Sequence, residues 1–167
     1  MSTPPTSSLL LAGSDFTIEV WAYFNASVSG TGYFFVAHAA SFASNAGFAF
    51  LRHGDTDNLR FIYTNDGTGA SGYKITDSTN TFIPTTNTWY HLAVTRSGST
   101  VRLFINGVVS GSSTQTTSIY PSTHNITIGT DAAGNYPMNG YLSDVRITKG
   151  LARYTSNFTP PTAALQG

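Results

Sequence analysis

Trp89-Tyr-His-Leu-Ala-Val-Thr-Arg-Ser-Gly-Ser-Thr-Val-Arg-Leu-Phe-Ile-Asn-Gly107 is the stretch that decides the fold. Leu92 and Val94 alternate with His91, Ala93 and Thr95, the two-residue period of a strand with unlike faces. Ser97-Gly98-Ser99 supplies a turn, since Gly accepts positive φ and Ser bonds to nearby backbone. Val101, Leu103 and Ile105 form a second apolar row, offset from Arg102, Phe104 and Asn106. Asn106-Gly107 then closes the strand with a dipeptide that favours a type I′ turn. Val108 and Val109 open a third strand. The run is a meander, and the rest of the chain must pack on it or complete its sheet.

Working outward, Phe16, Ile18, Val20, Ala22 and Phe24 alternate with Thr17, Glu19, Trp21 and Tyr23 in another strand. Apolar runs at 33–38, 47–52, 59–64 and 73–75 predict further strands, separated by clusters of turn-forming residues. His53 to Asn58 is such a loop, and Asp66 in Asn65-Asp66-Gly67 reads as a turn acid. No stretch keeps a helical period for more than a turn. Many short strands between turn signals mean a sandwich or barrel. Phe16, Phe24, Phe48, Phe50, Phe61, Trp89 and Phe104 are expected in its core, with Trp89 grouped beside Leu92, Val94, Leu103 and Ile105.

The meander resembles a strand pair of the laminin-G-like, concanavalin A-like lectin/glucanase jelly-roll superfamily. Asp15-Phe-Thr-Ile-Glu-Val-Trp-Ala-Tyr23, Ile126-Thr-Ile-Gly129 and Gly140-Tyr-Leu-Ser-Asp-Val-Arg-Ile147 extend the resemblance over most of the chain. It implies an all-β antiparallel sandwich. The ending Ala152-Arg-Tyr-Thr-Ser-Asn-Phe-Thr-Pro-Pro161 is similar to the tail of jelly-roll modules in phage and marine viral structural proteins. The expected organisation is a linker or edge strand over 1–14, the jelly roll over 15–158, and a Pro-rich linker over 159–167. Thr3-Pro-Pro-Thr6 recurs as Thr159-Pro-Pro-Thr162, which fits a module flanked by equivalent spacers.

Composition narrows the function. The chain has 167 residues, 40% hydrophobic and 13% aromatic, which suits one domain with a two-layer core. Charged residues are only 10% and the net charge is zero, so there is no electrostatic footprint for nucleic acid or an acidic membrane. Without cysteine there is no disulfide framework or thiolate chemistry. The apolar run Leu9-Leu10-Leu11 is too short for a membrane span.

Catalysis finds little support. Glycoside hydrolysis needs two carboxyls about 5 to 9.5 Å apart, one of them protonated. Hydrolytic relatives carry a Glu-x-Asp-x-x-Glu strand, whereas Thr17-Ile-Glu19-Val-Trp21 holds a lone acid, as does the strand around Asp144. Asp55 and Asp57 lie in a turn-rich loop. No Gly-x-Ser-x-Gly elbow exists, and His38, His53, His91 and His124 lack metal-ligand spacing. The resemblance implies a Ca²⁺ loop after the Ile126 strand, with Asp131 and Asn135 as oxygen donors; the alternative is that both serve as turn residues with no metal.

The expected function is therefore non-catalytic and lectin-like: binding of a polysaccharide or cell-surface glycan by a module of a larger virion or cell-surface protein, outside the cell or on a virion surface. Neighbouring domains of the parent chain would be its other partners. The alternative is a structural or assembly domain that contacts protein subunits. Sugars stack on aromatic rings and bond to amides and carboxylates. Two sites meet that need. A rim site would use Tyr120, Asp131, Asn135 and Tyr136. A concave-sheet site would use Trp21, Tyr23, His91 and Phe104.

Overall fold

The computed structural model describes residues 2–3, 9–26, 29–40, 44–163 and 165. Parts of both expected linkers, residues 1, 4–8, 164, 166 and 167, lie outside them. The elements are β1 (Ser2–Thr3), β2 (Phe16–Phe24), β3 (Tyr33–Ala37), β4 (Phe48–Arg52), β5 (Leu59–Tyr63), β6 (Lys74–Asp77), β7 (Trp89–Ser97), β8 (Thr100–Ile105), β9 (Val108–Thr114), β10 (Ile126–Ile128) and β11 (Gly140–Lys149). They form two antiparallel sheets, one six-stranded in the order β1-β10-β3-β4-β5-β6 and one five-stranded in the order β11-β2-β7-β8-β9. No helix occurs among the described residues.

The meander forms as its sequence dictates. β7 pairs with β8 from Leu92↔Ile105 to Ser97↔Thr100. Asn106 and Gly107 both take positive φ, 50° and 78°, the requirement of a type I′ turn into β9. Gly107 is needed twice over, because a Cβ there would come within 2.0 Å of the Phe158 carbonyl oxygen.

The core lies between the sheets. Phe16, Ile18, Val20, Ala22, Phe24, Leu92, Val94, Val101 and Leu103 meet Phe35, Phe48, Phe50, Phe61 and Tyr63, all buried. Two expectations need correction. Trp89 has the parity of His91, not of Leu92, so it points away from the core and is 42% exposed. Phe104 is fully buried, but on the outer face of the five-stranded sheet, under Tyr154 and Phe158.

The segment after β11 makes that cover. The Thr17 hydroxyl donates to the Leu151 carbonyl (3.0 Å) and Thr95 to the Tyr154 carbonyl (2.8 Å). The Phe158 N–H donates to the Gly107 carbonyl (2.9 Å). The Tyr154 and Phe158 rings stack with centroids 3.5 Å apart. Pro161, Thr162 and Ala163 continue over the same face, beside Trp21 and Trp89.

Candidate functional site

The outer face of the six-stranded sheet carries a row that changes character strand by strand. Phe34 of β3 pairs with Leu51 of β4, Leu51 with Arg60 of β5, and Arg60 with Asp77 of β6. The row therefore runs from an aromatic ring through an aliphatic side chain to an ion pair, with Arg60 Nε 2.6 Å from Asp77 Oδ1 and Nη2 2.7 Å from Oδ2. Ile62 lies one step along β5 on the same face. Tyr136, from the loop between β10 and β11, lies flat on Phe34 with centroids 5.4 Å apart and planes 19° from parallel. Its ring remains 56% exposed. Its backbone sits at φ 53°, an unfavoured conformation for a bulky side chain.

Together these residues wall a groove of about 300 Å³, with Phe34, Leu51 and Ile62 as floor, Tyr136 on one side, and His53, Asp55 and Arg60 as polar rim. The opposite wall is the His53–Asn58 hairpin loop, held by the fully buried Arg52. Arg52 Nη2 donates to Asp57 Oδ1 (2.6 Å), Nε donates to the Phe82 carbonyl (2.8 Å), and Nη1 donates to the Thr31 carbonyl. Asp57 also accepts from Ser29 Oγ and from the Gly30 N–H, and those bonds and Arg52 hold its carboxyl below the usual range. The Gly30–Gly32 loop is thereby tied to the hairpin. Gly54 permits the approach, since a Cβ there would lie 3.0 Å from the Gly32 nitrogen. His53 titrates below its ordinary value through burial and the neighbouring Arg60 charge, so it presents a neutral ring at the rim.

The expected rim residues divide into two places. Tyr136 walls the groove. Asp131 and Asn135 lie in the same loop and bond to each other: Asp131 Oδ1 accepts from the N–H of Ala133 (2.9 Å) and of Asn135 (2.7 Å), and Oδ2 accepts from Asn135 Nδ2 (3.1 Å). Tyr120 is elsewhere. It hydrogen-bonds to Thr64, its ring covers Gly67, and its carbonyl lies beside Gly47, before β4 begins. Tyr136 stands near Arg52, where β4 ends, so the length of that strand separates the two rings.

The concave-sheet set also divides. On the outer face of the five-stranded sheet, Phe104 and His91 lie beneath the Tyr154–Phe158 segment, while Trp21 and Tyr23 are half-buried, Trp21 beside Pro161, Thr162 and Ala163. Under that segment Glu19 is fully buried. It accepts from His91 Nε2 (3.1 Å), Arg146 Nε (2.8 Å) and the Tyr154 hydroxyl (2.8 Å). Burial pushes its carboxyl up, but the bonds from His91, Arg146 and Tyr154 outweigh that and hold it below its ordinary value.

A Ca²⁺ ion takes about 6–8 oxygen ligands. Asp131 is the loop's one acid, and its oxygens are already committed to three N–H donors. Among the described residues no group of three acids or histidines is placed to hold a metal. The loop's donors therefore do not fit a resident Ca²⁺.

Phe34, His53, Asp55 and Arg60 were not expected in a site. The available signal was weak: a run, Tyr33-Phe34-Phe35-Val36, too apolar for a strand with one wet face, and Arg60 as a lone charge within an apolar strand.

Comparison with known structures agrees with this architecture. A Bacteroides ovatus ATCC 8483 protein, provisionally named as carbohydrate binding, superposes with TM-score 0.66 at 18% identity over 92% of this chain and 41% of its own. Domain 4 of AbnA, a GH43 extracellular arabinanase from Geobacillus stearothermophilus, solved with arabinotriose, gives 0.64 at 18% identity, covering 90% of this chain and 68% of that one. The CBM40 of Ruminococcus gnavus IT-sialidase, bound to α2,3 sialyllactose, gives 0.63 at 12% identity, covering 86% and 79%. The chain thus spans about two fifths of the Bacteroides protein and two thirds of the arabinanase domain structure. No curated protein matches the sequence. The family model described as "Concanavalin A-like lectin/glucanases superfamily" matches residues 2–152, and the chain belongs to that superfamily.

Proposed function

We propose that this domain is a non-catalytic carbohydrate-binding module whose glycan lies in the Tyr136 groove. The observation that carries the reading is the exposed Tyr136 ring, stacked on Phe34 above an apolar floor with a polar rim. A sugar ring has an apolar face and hydroxyl edges, so it needs both surfaces at once. Strain at Tyr136 φ and the buried Arg52 network preform the two walls, which lowers the ordering cost of binding. The glycan-bound arabinanase domain and CBM40 lend support by fold.

The state of Glu19 supports the non-catalytic reading. A glycosidase acid must keep its proton near neutrality, so its pKa is raised. Glu19 is shifted the other way and is sealed under the tail, bonded to His91, Arg146 and Tyr154. The recurrence of Thr-Pro-Pro-Thr near both ends supports a place in a larger extracellular or virion-surface chain, with neighbouring domains as further partners. No helix is long and apolar enough to cross a membrane.

The test is a glycan array followed by calorimetry. Binding should be found, and Tyr136→Ala should weaken it at this groove by about 1–3 kcal/mol without lowering the melting temperature. Silence across diverse polysaccharides, with oligomers in sedimentation, would favour an assembly domain instead.

A further inference from the structure

The opposite face of the sandwich carries a second aromatic surface that the Tyr136 groove does not explain. Tyr141 of β11 pairs with Tyr23 of β2, and Tyr23 with Trp89 of β7, so three rings line up across three neighbouring strands. Their centroids are spaced 5.7 and 5.3 Å, and successive planes are inclined by 51° and 56°. Tyr141 and Trp89 are 62% and 42% exposed, a large commitment of apolar ring to water on strands whose inward residues, such as Leu142 and Leu92, pack on the core. The Tyr23 hydroxyl is oriented by Asn87 Oδ1 at 3.2 Å. Beside the row runs an open groove of about 470 Å³, lined by Trp21, Trp89, Ser143, Asp144, Pro161, Thr162 and Ala163. Its outer wall is the tail segment after Phe158, itself fixed to the sheet at Gly107.

We propose that this row and groove form a second binding site, for an extended neutral polysaccharide chain lying across the strands. Rings spaced along a line match a ligand that repeats along a line, each ring offering a face for one sugar. Their inclination suits a chain that turns between residues rather than a flat crystalline surface. Asp144 is the only charged side chain among the described residues lining the groove, and a carboxylate there repels uronic and sialic acids. Ser143 and Thr162 supply hydroxyl partners without charge. With the Tyr136 groove on the other sheet, the module would hold two glycan segments at once, and avidity for a polymer would exceed that of either site.

The chain's two tryptophans both line this groove and neither lines the other, so tryptophan emission reports the second site alone. The experiment titrates the Tyr136→Ala protein with neutral oligosaccharides of increasing length (arabino-, xylo-, gluco- and manno-series) and with polygalacturonate. A saturable emission change with a neutral series, strengthening with chain length and absent with polygalacturonate, is expected. Tyr141→Ala keeps both tryptophans and should weaken that response about tenfold or more, with melting unchanged. Binding by calorimetry with no emission change leaves the Tyr136 reading standing and overturns this one. An emission change that follows protein concentration rather than sugar assigns the row to a second copy of the chain and also overturns it.

Discussion

Tyr136 lies flat on Phe34, 5.4 Å between ring centroids, although the two residues come from a loop and a strand about a hundred positions apart. The stack fixes one face of Tyr136 and leaves the other to solvent. Tyr136→Ala should lose about 1–3 kcal/mol of glycan affinity, the worth of a stacked ring. Tyr136→Phe should retain most of it. Tyr136→Gly removes the ring but accepts φ 53° freely, so it should bind no better than Ala while melting higher. Calorimetry and thermal melts on the three variants separate ring from backbone. Equal affinity in all three would remove Tyr136 from the site.

Asp131 holds its own loop closed through three N–H donors, so its role is conformational. Asp131→Ala should lower the melting temperature with or without Ca²⁺, and should weaken glycan binding by releasing Tyr136. Millimolar Ca²⁺ should leave the wild-type melting temperature unchanged, because a ligand stabilises only in proportion to its binding of the native state. A calcium-dependent rise that Asp131→Ala abolishes would restore metal ligation to this loop.

Parity along the meander can be tested directly. Leu103 faces the inter-sheet core and is fully buried, so Leu103→Ala should cost about 2–5 kcal/mol. Phe104 faces the other way but is sealed by Tyr154 and Phe158, so Phe104→Ala should cost about 3–5 kcal/mol. Trp89→Ala, on the same outer face but 42% exposed beside Pro161–Ala163, should change stability little. Urea denaturation of the three orders them, and a large loss for Trp89→Ala would contradict its outward placement.

That ordering also shows where sequence reading stops. Two-residue alternation and the Asn106-Gly107 turn are local rules, and they suffice for the meander, its register and the sandwich. Alternation says that Trp89 and Phe104 face away from Leu103, but not which of them a later segment will cover. That depends on the Tyr154–Phe158 tail returning across the sheet, a contact between distant parts of the chain. The groove is hidden for the same reason. Tyr120 and Tyr136 flank one short strand in sequence yet stand at opposite ends of β4, while Tyr136 finds Phe34 and Arg52 holds the facing loop through Asp57. Asp66 was legible, because its acceptance of the Thr68, Gly69 and Ser71 N–H groups lies wholly within its turn.

The tail's attachment through Glu19 should make stability depend on pH at both extremes. Glu19 titrates below its ordinary 4.5 in the fold, so the unfolded chain takes up its proton first as pH falls. The contribution is complete above about pH 4.5 and is lost as pH drops through the lowered value. Tyr154 behaves oppositely. Burial and the Glu19 carboxylate push its hydroxyl from 10.0 up to about 12, so its contribution is complete below pH 10 and disappears as pH rises toward 12. Tyr154→Phe removes the hydroxyl that joins the two. It should cost about 1.5 kcal/mol at neutral pH, the low end for a bond to a charged group because Tyr154 is only partly buried. It should also flatten the stability profile between pH 10 and 12. Chain ending at residue 150 should lose more, since Glu19, His91 and Phe104 would then face water without their cover. Denaturant melts from pH 3 to 12 on the three proteins test the scheme. A Tyr154→Phe profile that still falls between pH 10 and 12 as the wild type does would show that another group governs the alkaline limb.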